Sequence, residues 1–216
     1  MAVLEIDSVD MSFGETQILS GIYLKAEKGK VTGILGSNGC GKTTLLRIIF
    51  GELKPKMKSL RIDGKTMTSP FLQSGDIKFL PQFHFLPKSM KVKTAFTHFN
   101  ISFEEFIKDF PVLKVLENQK FKTLSGGEKR IIETYIILCS KSKFVLLDEP
   151  FSHIAPVHVE KIIELIHQEK QFKAIIVTDH MYKHIIDASD TLYLLKDTWM
   201  KKVENKNDLS FYNYTY

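Results

Sequence analysis

Cysteine is scarce. Cys40 and Cys139 are the only two in 216 residues, too few for a disulfide framework, so a reducing compartment is expected. No uninterrupted apolar run reaches the roughly 18 residues of a membrane span. The N-terminal stretch MAVLEIDSVDMSF carries acids and has no basic region ahead of an apolar one, so no typical secretory signal is expected. There is no internal repeat, no low-complexity tract and no block in which basic residues interleave with stacking aromatics, which argues against a nucleic-acid groove. The lysines are dispersed over expected turns and helix surfaces. A net charge of +5 and a pI of about 9.0 therefore favour solubility, and anionic partners only in a general way.

What is present is an ordinary globular composition, 44% hydrophobic and 25% charged, which excludes a disordered chain. At about 150 residues per domain, the length allows one or two domains. Leu4, Ile6 and Val9 begin one apolar strand pattern, and Ile18, Ile22 and Leu24 a second. Val31 to Leu35 is a short strand of buried type, and Thr43 to Phe50 reads as a buried helix ended by Gly51. Residues 54–65 read as turn-rich, and 77–80 as a short strand.

From 83 to 123 the character changes. Ser102 and Glu105 have capping-box spacing, Phe103, Phe106, Ile107 and Phe110 recur at helical intervals, and Pro111 stops that helix. The stretch is expected to be an inserted helical subdomain. Beyond it, Ile131 to Cys139 is helical and Phe144 to Leu147 is a bare buried strand. Val159, Ile162, Ile163 and Ile166 form a helical stripe behind Pro156, and Ala174 to Val177 is another buried strand. Continuous apolar strands alternating with helices predict an α/β fold with a mainly parallel sheet covered on both faces.

Gly36-Ser37-Asn38-Gly39-Cys40-Gly41-Lys42-Thr43 fits the phosphate-loop pattern and lies between a predicted strand and a predicted helix, the context the pattern requires. Its glycines let backbone N–H groups converge on an anion at a helix N-terminus. Lys42 can reach β- and γ-phosphates, and Thr43, followed by Thr44, can ligate Mg²⁺. Cys40 reads as a small residue tolerated in this loop, and the same helix terminus could lower its thiol pKa. The apolar run at 144–147 ends in Asp148 and Glu149. An acid at a strand end beside a phosphate loop can hold Mg²⁺, usually through water, and a second can accept a proton from an attacking water. Leu124-Ser125-Gly126-Gly127-Glu128 lies between the loop and the acids. Small residues opening a helix make another anion cradle, and Ser125 equally suits an ordinary helix cap.

Together these motifs resemble the ATP-binding cassette (ABC) ATPases, whose distinguishing signature is LSGGE, and the resemblance runs from about Val3 to about Val203. It implies a RecA-like P-loop core with a mainly parallel sheet, an N-terminal antiparallel β region and an inserted α-helical subdomain. The expected divisions are 1–82 for the β region and first part of the core, 83–123 for the helical subdomain, 124–203 for the signature and the rest of the core, and 204–216 as an unassigned tail. ATP and Mg²⁺ are the implied ligands. By the same resemblance, Gln82 senses Mg²⁺ and the γ-phosphate, Phe13 stacks on adenine, Glu149 is the catalytic base and His180 contacts the γ-phosphate. Lys42 and residues 36–44 hold phosphate, and Ser125 to Glu128 grip the ATP of a second subunit. The other six histidines are expected at the surface. The family commonly has Asp where this chain has Ala155, which puts coupling between two ATP sites in doubt.

Glu-Pro-Phe at 149–151 and Thr-Asp-His at 178–180 resemble the bacterial lipopolysaccharide-export and branched-chain amino-acid ATPases. The expectation is a cytoplasmic ATP-hydrolysing subunit of a bacterial ABC transporter, peripheral on the inner face of the cell membrane. It would work as a homodimer or heterodimer with a separate transmembrane permease subunit and no nucleic acid. Phe83, Phe85, Leu86, Phe96 and Phe99 are expected to divide between core and a socket for a cytoplasmic helix of that permease. Two readings stay open beside it: an ABC ATPase outside transport, and a nucleotide-binding regulatory subunit with weak hydrolysis because of Ala155.

Overall fold

A computed structural model describes residues 2–67 and 75–204, so the tail beyond 204 lies outside the described residues. The chain opens with β1 (Val3–Phe13) and β2 (Thr16–Glu27), paired antiparallel. Apolar residues of β1 fall on even positions at Leu4 and Ile6 and on odd positions at Val9 and Met11. Ser8, at φ +53°, is the bulge that resets the phase, and the register shifts there against both neighbours. Without it, one half of the strand would turn its side chains to solvent.

β3 (Val31–Leu35) follows and leads into α1 (Lys42–Phe50). The span read as turn-rich contains a hairpin instead. β4 (Met57–Ile62) and β5 (Lys65–Thr66) are joined by Asp63-Gly64, both at positive φ, a two-residue hairpin signal that was present in the sequence. These strands complete a four-stranded antiparallel sheet in the order β2-β1-β4-β5.

β6 (Ile77–Leu80) is followed by α2 (Val92–His98), α3 (Phe103–Asp109), short 3-10 stretches at Pro111–Leu116 and Phe121–Thr123, and α4 (Gly126–Cys139). α4 begins five residues before the helix read from Ile131, because its first turn carries no apolar residue. At α3 only half of a capping box forms. Ser102 Oγ accepts from Glu105 N at 3.1 Å without the reciprocal bond from Ser102 N to the Glu105 carboxylate, and the hydroxyl donates to Glu104 Oε2 at 3.2 Å. Phe96, Phe106 and Phe110 pack with Tyr135 of α4, and Phe103 packs on Phe96 and Phe106, so the phenylalanine stripe belongs to the core that continues onto the parallel sheet.

β7 (Phe144–Asp148), α5 (Pro156–Glu169), β8 (Ala174–Thr178), α6 (Tyr182–Ala188), β9 (Thr191–Lys196) and β10 (Trp199–Val203) complete the order. The second sheet runs β10-β9-β3-β8-β7-β6 and is parallel except for the β9–β10 hairpin. Two cores explain the unbroken apolar strands. Phe144 and Leu146 face α1 and the antiparallel sheet, while Val145 and Leu147 face α4, α5 and the helical region. With both faces covered, no position on β7 can be polar until the strand reaches its end, and that end is where Asp148 stands.

Candidate nucleotide-binding site

The loop between β3 and α1 turns on Gly41. This residue sits at φ +110° and caps α1 with no side-chain hydrogen bond. That conformation favours glycine, and a Cβ there would also press on Ile18 Cγ2 and Leu19 Cδ2 at 3.0 Å. The first N–H groups of α1 thus have no side-chain acceptor and point toward the loop. Lys42 is almost fully buried, and its ammonium donates to the carbonyls of Gly36 at 2.6 Å and Ser37 at 2.9 Å. It is held over the loop, where a phosphate would sit. At Cys40 the helix terminus does not lower the thiol pKa. Burial pushes its thiol pKa up, and the opposing pull of Lys42, whose Nζ lies 4.0 Å from Sγ, is the smaller effect.

Asp148 is 1% exposed. Burial raises its carboxyl pKa, the hydrogen bond from Thr178 and the nearby Thr43 hydroxyl act the other way, and the neighbouring Glu149 charge adds to the rise. Oδ1 accepts from Thr178 Oγ1 at 2.8 Å, whereas Oδ2 is buried with no hydrogen-bond partner among the described residues. A buried anionic oxygen left over beside Thr43 is what a hard cation requires, so this donor set fits Mg²⁺. Glu149 follows in the left-handed region, φ +53°, which is costly for a residue with a Cβ. Its N–H donates to Thr178 O at 2.8 Å, and Ser152 Oγ donates to its Oε2 at 3.1 Å. His180 Nδ1 lies 3.7 Å from the same Oε2 and 3.2 Å from Asp179 Oδ1.

A cleft of about 600 Å³ gathers Phe13, Asn38, Gly39, Gly41, Lys42, Thr43, Thr44, Gln82, Glu149 and His180. Phe13 is half exposed at the end of β1, not a core residue, so its ring is free to present a face to a base. The structure does not bring Ser125, Gly126, Gly127 and Glu128 to this cleft. They line a second one of about 620 Å³ together with His153 and Ala155. Here Ser125 and Glu128 form a complete capping box on α4. Gly127 is fixed by close approach: a Cβ would meet the His153 carbonyl oxygen at 2.5 Å. Ala155 is the N-cap of α5 and makes no side-chain cap bond.

A family profile described as ABC transporter matches residues 19–152, more than half of the chain. The chain belongs to the ABC transporter family. It is an ATPase of that family, and its α/β cassette fold accords with this. Among curated relatives, it is 26% identical to the high-affinity branched-chain amino acid transport ATP-binding protein BraG of Pseudomonas aeruginosa, covering 90% of this chain and 89% of that one. It is 25% identical to the lipopolysaccharide export system ATP-binding protein LptB of Haemophilus influenzae, over 90% of this chain and 87% of that one. It is 29% identical to the xylose/arabinose import ATP-binding protein XylG of Sulfolobus acidocaldarius, over 95% and 90%. A solved ATP-binding subunit of an ABC transporter superposes with a TM-score of 0.80 at 17% identity, covering 98% of this chain and 94% of that one. A nucleotide-free ATP-binding cassette gives 0.78 at 22%, with the same coverage.

Several cassette residues near the site escape sequence reasoning. Asp179 is buried, and its carboxylate accepts from Phe151 N at 3.1 Å and Met181 N at 2.9 Å, tying the loop after β7 to the loop after β8. Thr178 holds Asp148, and Ile18 lines the cleft. For Thr178 and Asp179 the one available signal was position, at or just past the end of an apolar strand. Arg130 and Glu133 gave no signal beyond charge within an apolar helix. His84, expected to be a plain surface residue, has its Nδ1 2.8 Å from the buried Glu133 carboxylate.

Proposed function

We propose that this chain is the Mg²⁺-dependent, ATP-hydrolysing subunit of an ABC transporter, working as a head-to-tail dimer against a separate transmembrane permease at the inner face of the membrane. One observation carries the reading. The phosphate-loop cleft collects Gln82, Glu149 and His180 from three other segments, while the Ser125-led turn opens onto a different cleft of the same chain. A second copy presenting that turn would complete the first cleft. Homodimer and heterodimer are both compatible with this geometry.

Within the cleft, residues 36–44 and Lys42 hold the phosphates and Phe13 offers a stacking face to the base. Thr43, Gln82 and Asp148 would hold Mg²⁺, which supplies charge neutralisation at the β- and γ-oxygens. Glu149 accepts the proton of the attacking water, and His180 steadies the γ-phosphate. No helix among the described residues is long and apolar enough to cross a membrane. The face offered to that permease is the segment around 82–100. Phe96 and Leu86 are core there, Phe85 and Phe99 are partly buried edge-to-face neighbours 6.1 Å apart, and Phe83 is exposed.

The test is turnover of the full chain, alone and with the membrane protein that copurifies with it. Glu149→Gln should lower kcat by about 10² or more while ATP binding and ATP-dependent dimerisation persist, measured by light scattering. Equal turnover in the two proteins, or failure at saturating Mg-ATP to dimerise either with itself or with a second cassette subunit that copurifies with it, would refute the reading.

A further inference from the structure

Two charged side chains that take no part in phosphate binding lie inside the protein on successive turns of α4. Arg130 is 2% exposed and Glu133 is 0% exposed. Such groups are kept inside only when their hydrogen-bonding capacity is fully used. Arg130 uses its capacity on backbone. Nη1 donates to Pro81 O at 2.7 Å, Nε donates to Glu149 O at 3.0 Å, and Nη2 donates to Asp148 O. One planar fork therefore joins the residue before Gln82 to both strand-end acids. Glu133 answers from the other side of Gln82. Its Oε1 accepts from Phe85 N at 2.9 Å and Leu86 N at 3.1 Å, and its Oε2 lies 2.8 Å from His84 Nδ1.

Gln82 is thus bracketed by one helix, with the carbonyl before it held by Arg130 and the amides after it held by Glu133. The strained backbone of Glu149 is held by the same guanidinium, through its carbonyl. We infer that Arg130 and Glu133 are positioning residues for hydrolysis: α4 carries them as a strut that sets the Gln82 turn against the Asp148–Glu149 strand end. The inference rests on the reading of Gln82, Asp148 and Glu149 given above, and it adds a route. Phe83 and His84 are the exposed end of the strut, so a load applied there reaches Glu149 through a single turn of helix.

The decisive variants are Arg130→Lys, Glu133→Leu and Glu133→Gln. Lysine keeps the charge but lacks the planar fork that serves three carbonyls in two loops. Leucine removes the acceptors. Glutamine retains an oxygen for both amides and keeps a polar group beside His84 Nδ1. Arg130→Lys and Glu133→Leu are expected to lower kcat by about 10- to 100-fold, with the affinity for a fluorescent ATP analogue unchanged within about twofold. Glu133→Gln is expected to restore kcat. Amide exchange at Phe85 and Leu86 should accelerate in Glu133→Leu and return to the wild-type rate in Glu133→Gln. Wild-type kcat in folded, nucleotide-binding Arg130→Lys and Glu133→Leu proteins overturns the inference, as does an equal loss in Glu133→Gln. Loss of nucleotide affinity in step with kcat overturns it too. Wild-type protein without turnover would instead refute the functional reading, and exchange at Phe85 and Leu86 would still test the strut.

Discussion

Ser125 carries two separable demands, one structural and one functional. As N-cap of α4 its hydroxyl accepts from Glu128 N at 3.2 Å and donates to Glu128 Oε2 at 2.8 Å, while its own N–H donates to the same oxygen at 2.7 Å. Ser125→Ala removes the first two bonds and leaves the third. An exposed N-cap lost to alanine costs about 1 kcal/mol, which at this chain length lowers Tm by about 2–4 °C. Ser125→Asn keeps a capping oxygen without adding charge next to Glu128, so Tm should stay within about 1 °C of wild type. The phosphate contact is a different matter. Asparagine is bulkier than serine at the point where a partner's γ-phosphate would meet the turn, so both variants should lose ATP-dependent dimerisation. The assay is thermal unfolding without nucleotide, followed by light scattering with ATP in a Glu149→Gln background. A wild-type Tm for Ser125→Ala would refute the capping argument. An ATP-stabilised dimer of Ser125→Asn would refute the assignment of the hydroxyl to phosphate.

Two further outcomes follow from the buried acid and the uncapped helix. Burial holds the folded pKa of Asp148 above its unfolded value. The associated stability is complete below an unfolded pKa of about 3.9 and declines as pH rises through the folded one. Asp148→Asn should therefore melt higher than wild type without ligand, by a margin that widens from pH 4 to pH 8, and should lose the extra stabilisation by Mg-ATP. A margin independent of pH would sink this account. Ala155 occupies the N-cap of α5 at φ −65° and ψ 143°, a conformation that suits a capping carboxylate. Ala155→Asp should add about 1 kcal/mol, read as a Tm rise of about 2–4 °C. An unchanged Tm would mean the first turn of α5 is already satisfied, and an unchanged turnover that the departure from the family residue is without consequence.

The residues legible in advance share a property: their role is satisfied within a few neighbours along the chain. The phosphate loop between β3 and α1, the apolar runs of β3, β7 and β8, and the stripe of α3 are patterns of adjacent residues. Elements that stayed hidden lacked such a pattern. The β9–β10 hairpin turns on Asp197-Thr198, both at positive φ, without the Asn-Gly or Asp-Gly pair that announces such a turn. β4 was masked by Lys58, Arg61 and the lysines that flank it, although Leu60 and Ile62 face the core.

Sequence by itself determined the chemistry that local spacing can encode: a glycine loop ahead of a helix, a strand ending in two acids, and a serine-led helix start. Tertiary structure alone decided where these lie relative to one another and what steadies them. It decided that Phe13 is exposed and Phe96 is core, that Cys40 is buried enough to be a weaker acid, and that the Ser125 turn opens away from the phosphate cleft. It also decided the partners of Arg130, Glu133 and Asp179. Each of these side chains bonds to backbone groups, and every residue has the same backbone groups. No pattern of side chains along the chain can therefore announce which carbonyl or amide will be met, and only the packing of α4 and β8 against distant loops selects it.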